Sequence, residues 1–394
     1  MKENNTYQQA FNLLHRACSK DGFLAAANEQ DNYNRVWTRD AVICGLAGLI
    51  SDSEILIETF KKSLESIWLH QHPVGYLPSN VDTKNNQTSY GGAVGRADTA
   101  SWAIIGLVMY TIHSGNGEWA NKYLEKIKKA FRLMDAWEFN GRELIYVPQG
   151  GDWADEFLQH GYILYDQLLR IWALELAGKL FSQDDFLIKA GKIKKIIQHN
   201  FFYRDDFDNW YNKNMMHQKE MAPKDFWWMG FNPAQIYPQF DLQANALVLL
   251  LKIGNASQND LLLNHTKDLI AGKNRMLESF SPAITDSEWQ MNELKDNFSF
   301  RFRNNPNEFH NGGLWPVWNG WMITALKMSG MNNLANELTT SMHTTVSRDN
   351  FEMNECYHGI SNIACGVKEC AWSAAGVIFA EKGTQLFYPP YTTN

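Results

Sequence analysis

What this chain lacks narrows it first. No apolar run approaches the ~18 residues that a membrane-crossing helix needs, and residues 1–5 carry no apolar core of a secretory signal. Basic residues are not in excess: 36 Lys and Arg against 43 Asp and Glu leave a net charge of −7, which argues against a polyanionic partner such as nucleic acid. Cysteine is scarce. The five present (Cys18, Cys44, Cys356, Cys365, Cys370) form no CxxC pair and no zinc spacing with His, so they read as reduced thiols of a cytosolic protein. A P-loop, a dinucleotide fingerprint and a GxSxG nucleophile elbow are all missing. His310 and His358 do not stand at metal-ligand spacing. Neither metal nor cofactor is therefore expected. No heptad or apolar stripe points to an oligomeric state, and strand signals are sparse, with only residues 143–147 reading as part of a small hairpin.

What is present is helical and aromatic. The 394 residues are 45% hydrophobic and 13% aromatic, with 15 Trp. Aromatic faces pack on the apolar faces of pyranose rings, although each Trp taken alone reads first as core. Twelve helical segments can be read, of two kinds. Residues 7–19, 53–70, 118–137, 183–199, 258–277 and 332–348 are amphipathic and charged, the pattern of helices with one face in water. Residues 40–50, 98–113, 162–177, 241–253, 315–328 and 368–380 are apolar nearly all round, the pattern of helices surrounded by protein. The two kinds alternate strictly, so six helical hairpins repeat along the chain. The expected architecture is an all-α (α/α)6 barrel, six inner helices within six outer ones, as a single domain over 1–394.

The connections are unequal. Links from inner to outer helices are short, whereas those from outer to inner span 71–97, 138–161, 201–240, 279–314 and 349–367. Long ordered loops are usually functional, and these all enter inner helices at the same end, which places them around one mouth. They carry Trp37-Thr38-Arg39-Asp40, Gly95-Arg96-Ala97-Asp98, Asp152-Trp153-Ala154-Asp155-Glu156, Tyr237 to Asp241, His310-Asn311-Gly312-Gly313-Leu314-Trp315 and Glu355-Cys356-Tyr357-His358. The glycines of 91–95 would let backbone approach a ligand. A pocket lined by Asp, Glu, Arg, Asn, His and Trp suits a carbohydrate, whose hydroxyls need directional donors and acceptors. Glycoside hydrolysis needs two carboxyl groups, spaced ~6.5–9.5 Å apart in an inverting enzyme to hold a water. Asp40, Asp98, Asp152, Asp155, Glu156, Asp241, Glu352 and Glu355 are the candidates. Asp40, Asp98 and Asp241 stand at helix starts, where Asp is equally an N-cap, and Arg39 with Asp40 reads equally as a structural ion pair. Glu355 has no evident capping role.

At these loops the sequence resembles the alkaline/neutral invertase family, inverting glycoside hydrolases on an (α/α)6 barrel, and more distantly the glucosidase part of glycogen debranching enzymes. The matching stretches are Val36 to Asp40 with Gly45-Leu46-Ala47, Ala93 to Trp102, Asp155 through Tyr162 to Gln167, His310 to Pro316, and Glu355 to Gly359 with Ala371 to Gly376. The resemblance implies Asp98 as general acid and Glu355 as general base, without a cofactor. It implies sugar contacts from Arg39, Asp40, Arg96, His310 and Asn311, with Trp37, Asp152, Asp155, Tyr162, Gln167 and Trp315 lining the same site. The acid segment lacks the family's Pro-Val run, and Cys356 and His358 stand where the family shows Tyr and Asp. The expected substrate is a small glucoside, sucrose or another α-glucosyl disaccharide. Two other readings fit the same barrel: a sugar 2-epimerase or isomerase working through His310 and His358, and a sugar-binding barrel without turnover.

Overall fold

A computed structural model describes residues 2–28, 31–204, 211, 213–389 and 391. Six helices form an inner ring: α2 (Thr38–Leu49), α4 (Thr99–Ser114), α7 (Leu164–Leu180), α9 (Leu242–Leu250), α12 (Pro316–Met328) and α14 (Ala371–Lys382). Each packs against the next, and α14 closes on α2. Around them lie α1 (Lys2–Arg16), α3 (Glu54–Leu69), α6 (Leu124–Ala136), α8 (Asp184–Asn200), α10 (Ala256–Ile270) and α13 (Asn332–Val346), with two short helices, α5 (Gly117–Asn121) and α11 (Gln290–Lys295), in the connections.

The burial follows the sequence pattern. In α4 every residue from Thr99 to Thr111 is buried, whereas α10 buries only Leu262, Thr266 and Ile270, one turn apart along a single stripe. Trp102, Trp172 and Trp321, from α4, α7 and α12, meet deep in the ring with centroids 6.0–6.4 Å apart. Aromatic pairs at this spacing add about 0.5–1.5 kcal/mol each beyond their area. The single helix expected over 118–137 is in fact two: a five-residue α5, capped at its start by Asn116 and ending at Asn121, and α6 from Leu124.

The expectation of an all-α chain is corrected. Among the described residues, four small antiparallel sheets lie in the connections between helices. The largest joins Tyr162–Ile163, Trp228–Phe231, Ile236–Asp241 and Phe280–Ser281 in that order. A second joins Val36–Trp37, Asn80–Asp82 and Gln87–Ser89, and two-stranded hairpins pair Cys18–Ser19 with Gly22–Phe23 and Cys356–Tyr357 with Ala364–Cys365. Residues 143–147 form no strand; only Val147 bridges to Gly161. The strands enter α2, α7 and α9 directly, so the sheets hold the loops where the inner helices begin. Part of the long 201–240 connection lies outside the described residues.

Candidate active site

The inner-helix N-termini converge at the mouth end. Five of the six, α2, α4, α7, α12 and α14, start without a side-chain cap; only α9 has one, Asp241 accepting from Ala244 N–H at 3.0 Å. Asp241 is thus a capping residue. Asp98 occupies the N-cap position of α4 in a helical backbone conformation and caps nothing. Instead its Oδ2 receives Arg39 Nε at 2.6 Å and the Tyr165 hydroxyl at 3.4 Å, while Trp102 Nε1 donates to that hydroxyl at 2.9 Å. The Arg39–Asp40 ion pair expected from the sequence is replaced by Arg39–Asp98, because Arg39 and Asp98 face each other across α2 and α4. Asp98 Oδ1 is buried with no partner.

Glu355 sits just before the Cys356–Tyr357 strand. Its Oε1 accepts from the Tyr33 hydroxyl at 2.7 Å and its Oε2 from Val367 N–H at 3.3 Å. Gly366, at φ +79°, leaves the room: a Cβ there would lie 2.5 Å from Oε2. Burial raises the Glu355 carboxyl above the usual range, opposed by the Tyr33 hydrogen bond and Arg303.

Asp40, on α2 between the helices that follow Asp98 and Glu355, is pushed up to about 7, chiefly by burial, with Arg39 opposing and Glu355 and Asp98 adding their charge. Burial takes Asp152 to about 6, although Gln159 and Ala154 N–H hydrogen-bond its oxygens. Asp166, the third residue of α7, is raised well above the ordinary value by burial and by Asp152 and Asp98. Both its oxygens lack partners, as do both side-chain ends of Gln243 in the first turn of α9. Burial would raise Asp155 too, but His310 and Arg96 hold it below the ordinary value. Helix N-termini carry partial positive charge, so the convergence of six of them favours this acidic cluster.

An aromatic wall closes one side. Trp153 lies 4.9 Å from His310, 5.1 Å from Trp315 and 5.2 Å from Trp318, centroid to centroid, and Trp318 lies 5.6 Å from Trp372. The indole N–H groups of Trp153, Trp318 and Trp372 are buried without acceptors. Buried indoles normally find one. His310 stacks on Trp315 at 5.3 Å, and burial lowers its proton affinity.

Other sequence candidates are occupied by the scaffold. Arg96 donates to Gly150 O at 2.7 Å, Gly95 O at 3.0 Å and Asp155 at 2.6 Å, so it fastens two loops together. Gly91, at φ +107°, comes close to Gly95 and Arg96: its chain approaches its own loop where a ligand was anticipated. Gln167 holds Ile145 by both its N–H and C=O, and Asn311 does the same for Ile284. Tyr162 packs among Tyr146, Tyr211 and Phe231 and accepts from Asn140. Trp37 donates to Asn32 O, and Trp315 to Phe309 O. Glu156 is bound by Arg303 at 3.0 Å and Ser299 N–H, and Glu352 pairs with Lys368 at the surface. His358 accepts from the N–H groups of Ile360 and Ser361 and shapes a turn.

Tyr33, Tyr165, Asp166, Gln243 and Arg303 were not singled out from the sequence. Asp166 had a signal: it holds the same third-residue place in α7 that Asp40 holds in α2. Tyr33 and Arg303 had none, one ending a three-residue 3-10 turn and the other lying in an irregular loop. Among the described residues no group of three or more His, Cys, Asp or Glu is placed to hold a metal ion, and no helix is long and apolar enough to cross a membrane.

The chain thus forms a closed ring of helical hairpins with a carboxylate-rich, Trp-walled mouth. Comparison with known proteins gives its class. Residues 226–385, which include the His310 and Glu355 segments, match the family described as alkaline and neutral invertase. The chain is 23% identical to alkaline/neutral invertase C, mitochondrial, of Arabidopsis thaliana over 97% of its own length and 67% of that protein's. Its fold is similar to that of the GH63 mannosylglycerate hydrolase of Thermus thermophilus, solved with Tris and D-glycerate, at a TM-score of 0.67 and 13% identity, over 95% of this chain and 99% of that one. It is similar also to a bacterial glucoamylase complexed with acarbose, at a TM-score of 0.66 and 12% identity, over 98% of this chain and 57% of that one. The protein is a glycoside hydrolase similar to the alkaline/neutral invertases.

Proposed function

We propose that the protein is an inverting hydrolase of a small α-glucoside, sucrose or another glucosyl disaccharide, acting in the cytosol, with Asp98 as general acid and Glu355 as general base. The observation that carries this reading is the set of buried polar atoms left without partners at the mouth: Asp98 Oδ1, both oxygens of Asp166, both ends of Gln243 and the indole N–H groups of Trp153 and Trp318. Unpaired buried groups are costly. A bound sugar would satisfy them, its hydroxyls bridging acceptors and donors while its apolar face lies on the indoles.

Arg39 and Tyr165 hold Oδ2 of Asp98, so Oδ1 is the atom that would deliver the proton to the glycosidic oxygen. Glu355, held by Tyr33 and Val367, would take a proton from water as that water attacks the anomeric carbon from the opposite face. The leaving sugar departs with the delivered proton, and the configuration inverts. The epimerase reading draws less support, since His358 Nδ1 is engaged in a turn, accepting from Ile360 and Ser361 N–H.

Product analysis by NMR on sucrose, trehalose, maltose, isomaltose, kojibiose and nigerose tests the proposal. Release of β-glucose first from one of them is the expected result. Intact disaccharides together with a changed free mannose or glucose would replace it with an epimerase.

A further inference from the structure

The hairpin that carries Glu355 holds a second chemical feature. Cys356 and Cys365 are partners directly opposite each other in its antiparallel ladder. Opposed residues in such a ladder have Cα atoms ~4.5–5.5 Å apart, within the ~4.4–6.8 Å that a disulfide spans. Their Sγ atoms are 2.6 Å apart, so the side chains already point at each other. Cys356 is fully buried, whereas Cys365 is partly exposed and can be reached from solvent. Cys44 and Cys370 are buried, each outside this ladder.

The pair is one residue from Glu355 on one strand and one residue from Gly366 on the other. Glu355 N–H donates to Val367 O at 2.7 Å, and Val367 N–H returns to the carboxylate, so the rung beside the two sulfurs is the one that positions Glu355. The same hairpin bonds Leu314 through both N–H and C=O of Tyr357, which ties it to the His310 loop. Its tip, with Ile360 and Ile363, is exposed. Apart from these few bonds, the two sulfurs are the only side chains that could join its strands covalently.

We propose that Cys356 and Cys365 form a reversible dithiol–disulfide site that sets how firmly this hairpin holds Glu355. Its bearing on catalysis rests on Glu355 being the base; the linkage itself does not. A small soluble disulfide, such as oxidised glutathione, is the oxidant. Cys365, as thiolate, attacks one of its sulfurs and releases one glutathione thiolate. Cys356, as thiolate, then attacks Cys365 Sγ in the mixed disulfide and releases the second. Two cysteine protons and two electrons leave the protein, and one glutathione disulfide becomes two thiols.

The full chain is equilibrated across reduced and oxidised glutathione mixtures, trapped by alkylation and mapped by mass spectrometry, with amide hydrogen exchange measured on the same samples. The expected result is a Cys356–Cys365-linked peptide that appears as a two-electron transition and is reversed by dithiothreitol. Exchange across residues 355–367 should slow at least ten-fold on oxidation. Cys365→Ser should remove both effects, and Cys18→Ser neither. Absence of the linked peptide in the most oxidising mixture would overturn the proposal, as would linkage with exchange changed less than two-fold. Turnover, followed in parallel, separates the two readings. A linked and slowed hairpin without effect on any hydrolysis would leave this site standing and count against Glu355 as the base.

Discussion

Two helix starts in the outer ring and the starts of the inner helices are built differently. Ser53 caps α3, and Asn255 caps α10 in a reciprocal box with Gln258, so orphan N–H groups there are met locally. At the mouth, five of six inner helices forgo that device, and the polar side chains nearby are buried with atoms unpaired. Capping does not mark the whole outer ring, since α6, α8 and α13 also start without a side-chain cap. The mouth is arranged for a ligand, at a cost in stability borne by the packed helices below it.

This contrast can be broken at several points. The largest effect belongs to the carboxylate pair. Asp98→Asn and Glu355→Gln should each lower kcat by about 10²–10⁴-fold while far-UV circular dichroism and thermal melting stay near wild type. Near-normal turnover in either would remove that residue from the mechanism.

Tyr33→Phe should act through Glu355. Losing the hydroxyl raises the carboxyl further, since that hydrogen bond favours the ionised form. A base must be ionised, so activity falls as pH drops through its pKa. The acid limb of the pH–rate profile should therefore move to higher pH in the variant, with kcat down about ten-fold or less at neutral pH. An unmoved limb would detach Tyr33 from the base.

Asp166→Asn sharpens the comparison by trading function for stability. The folded-state pKa of Asp166 lies well above its unfolded value, so its contribution to stability is full below the unfolded pKa, ~3.9, and is lost as pH rises through the folded one. The amide has no such dependence. Thermal melting should show the variant more stable than wild type at pH 8, by about 1–3 kcal/mol, with the gain shrinking toward pH 4. Sugar affinity should fall. A variant less stable at pH 8 would mean that Asp166 serves the scaffold.

The smallest effect is expected in the outer ring, where Ser53→Ala should cost about 1 kcal/mol in denaturant unfolding and leave turnover unchanged.

The ring itself was legible because burial on all sides and burial on one side leave different patterns. Residues 98–113 read as a surrounded helix, and α4 is one. The sheets were not legible: most of their strands are two or three residues long, too short for an alternating pattern, and they form because loop backbone at the mouth must pair its N–H and C=O groups. The motif around Arg39 and Asp98 was visible, but its pairing was not. Adjacency in sequence suggested Asp40, whereas the partner came from the next inner helix, 59 residues on.

By itself the sequence determined the alternation of inner and outer helices, the end at which the long loops gather, and the segments that carry carboxylates, because hydrophobic periodicity and loop length are local properties. Which Asp caps and which is left free, that Arg39 turns to Asp98, that Tyr33 holds Glu355, and that Gln167 and Asn311 staple loops were decided by the tertiary structure. Each of those outcomes depends on which groups are brought within hydrogen-bond reach and cut off from water once the ring has closed, and no short stretch of chain encodes that.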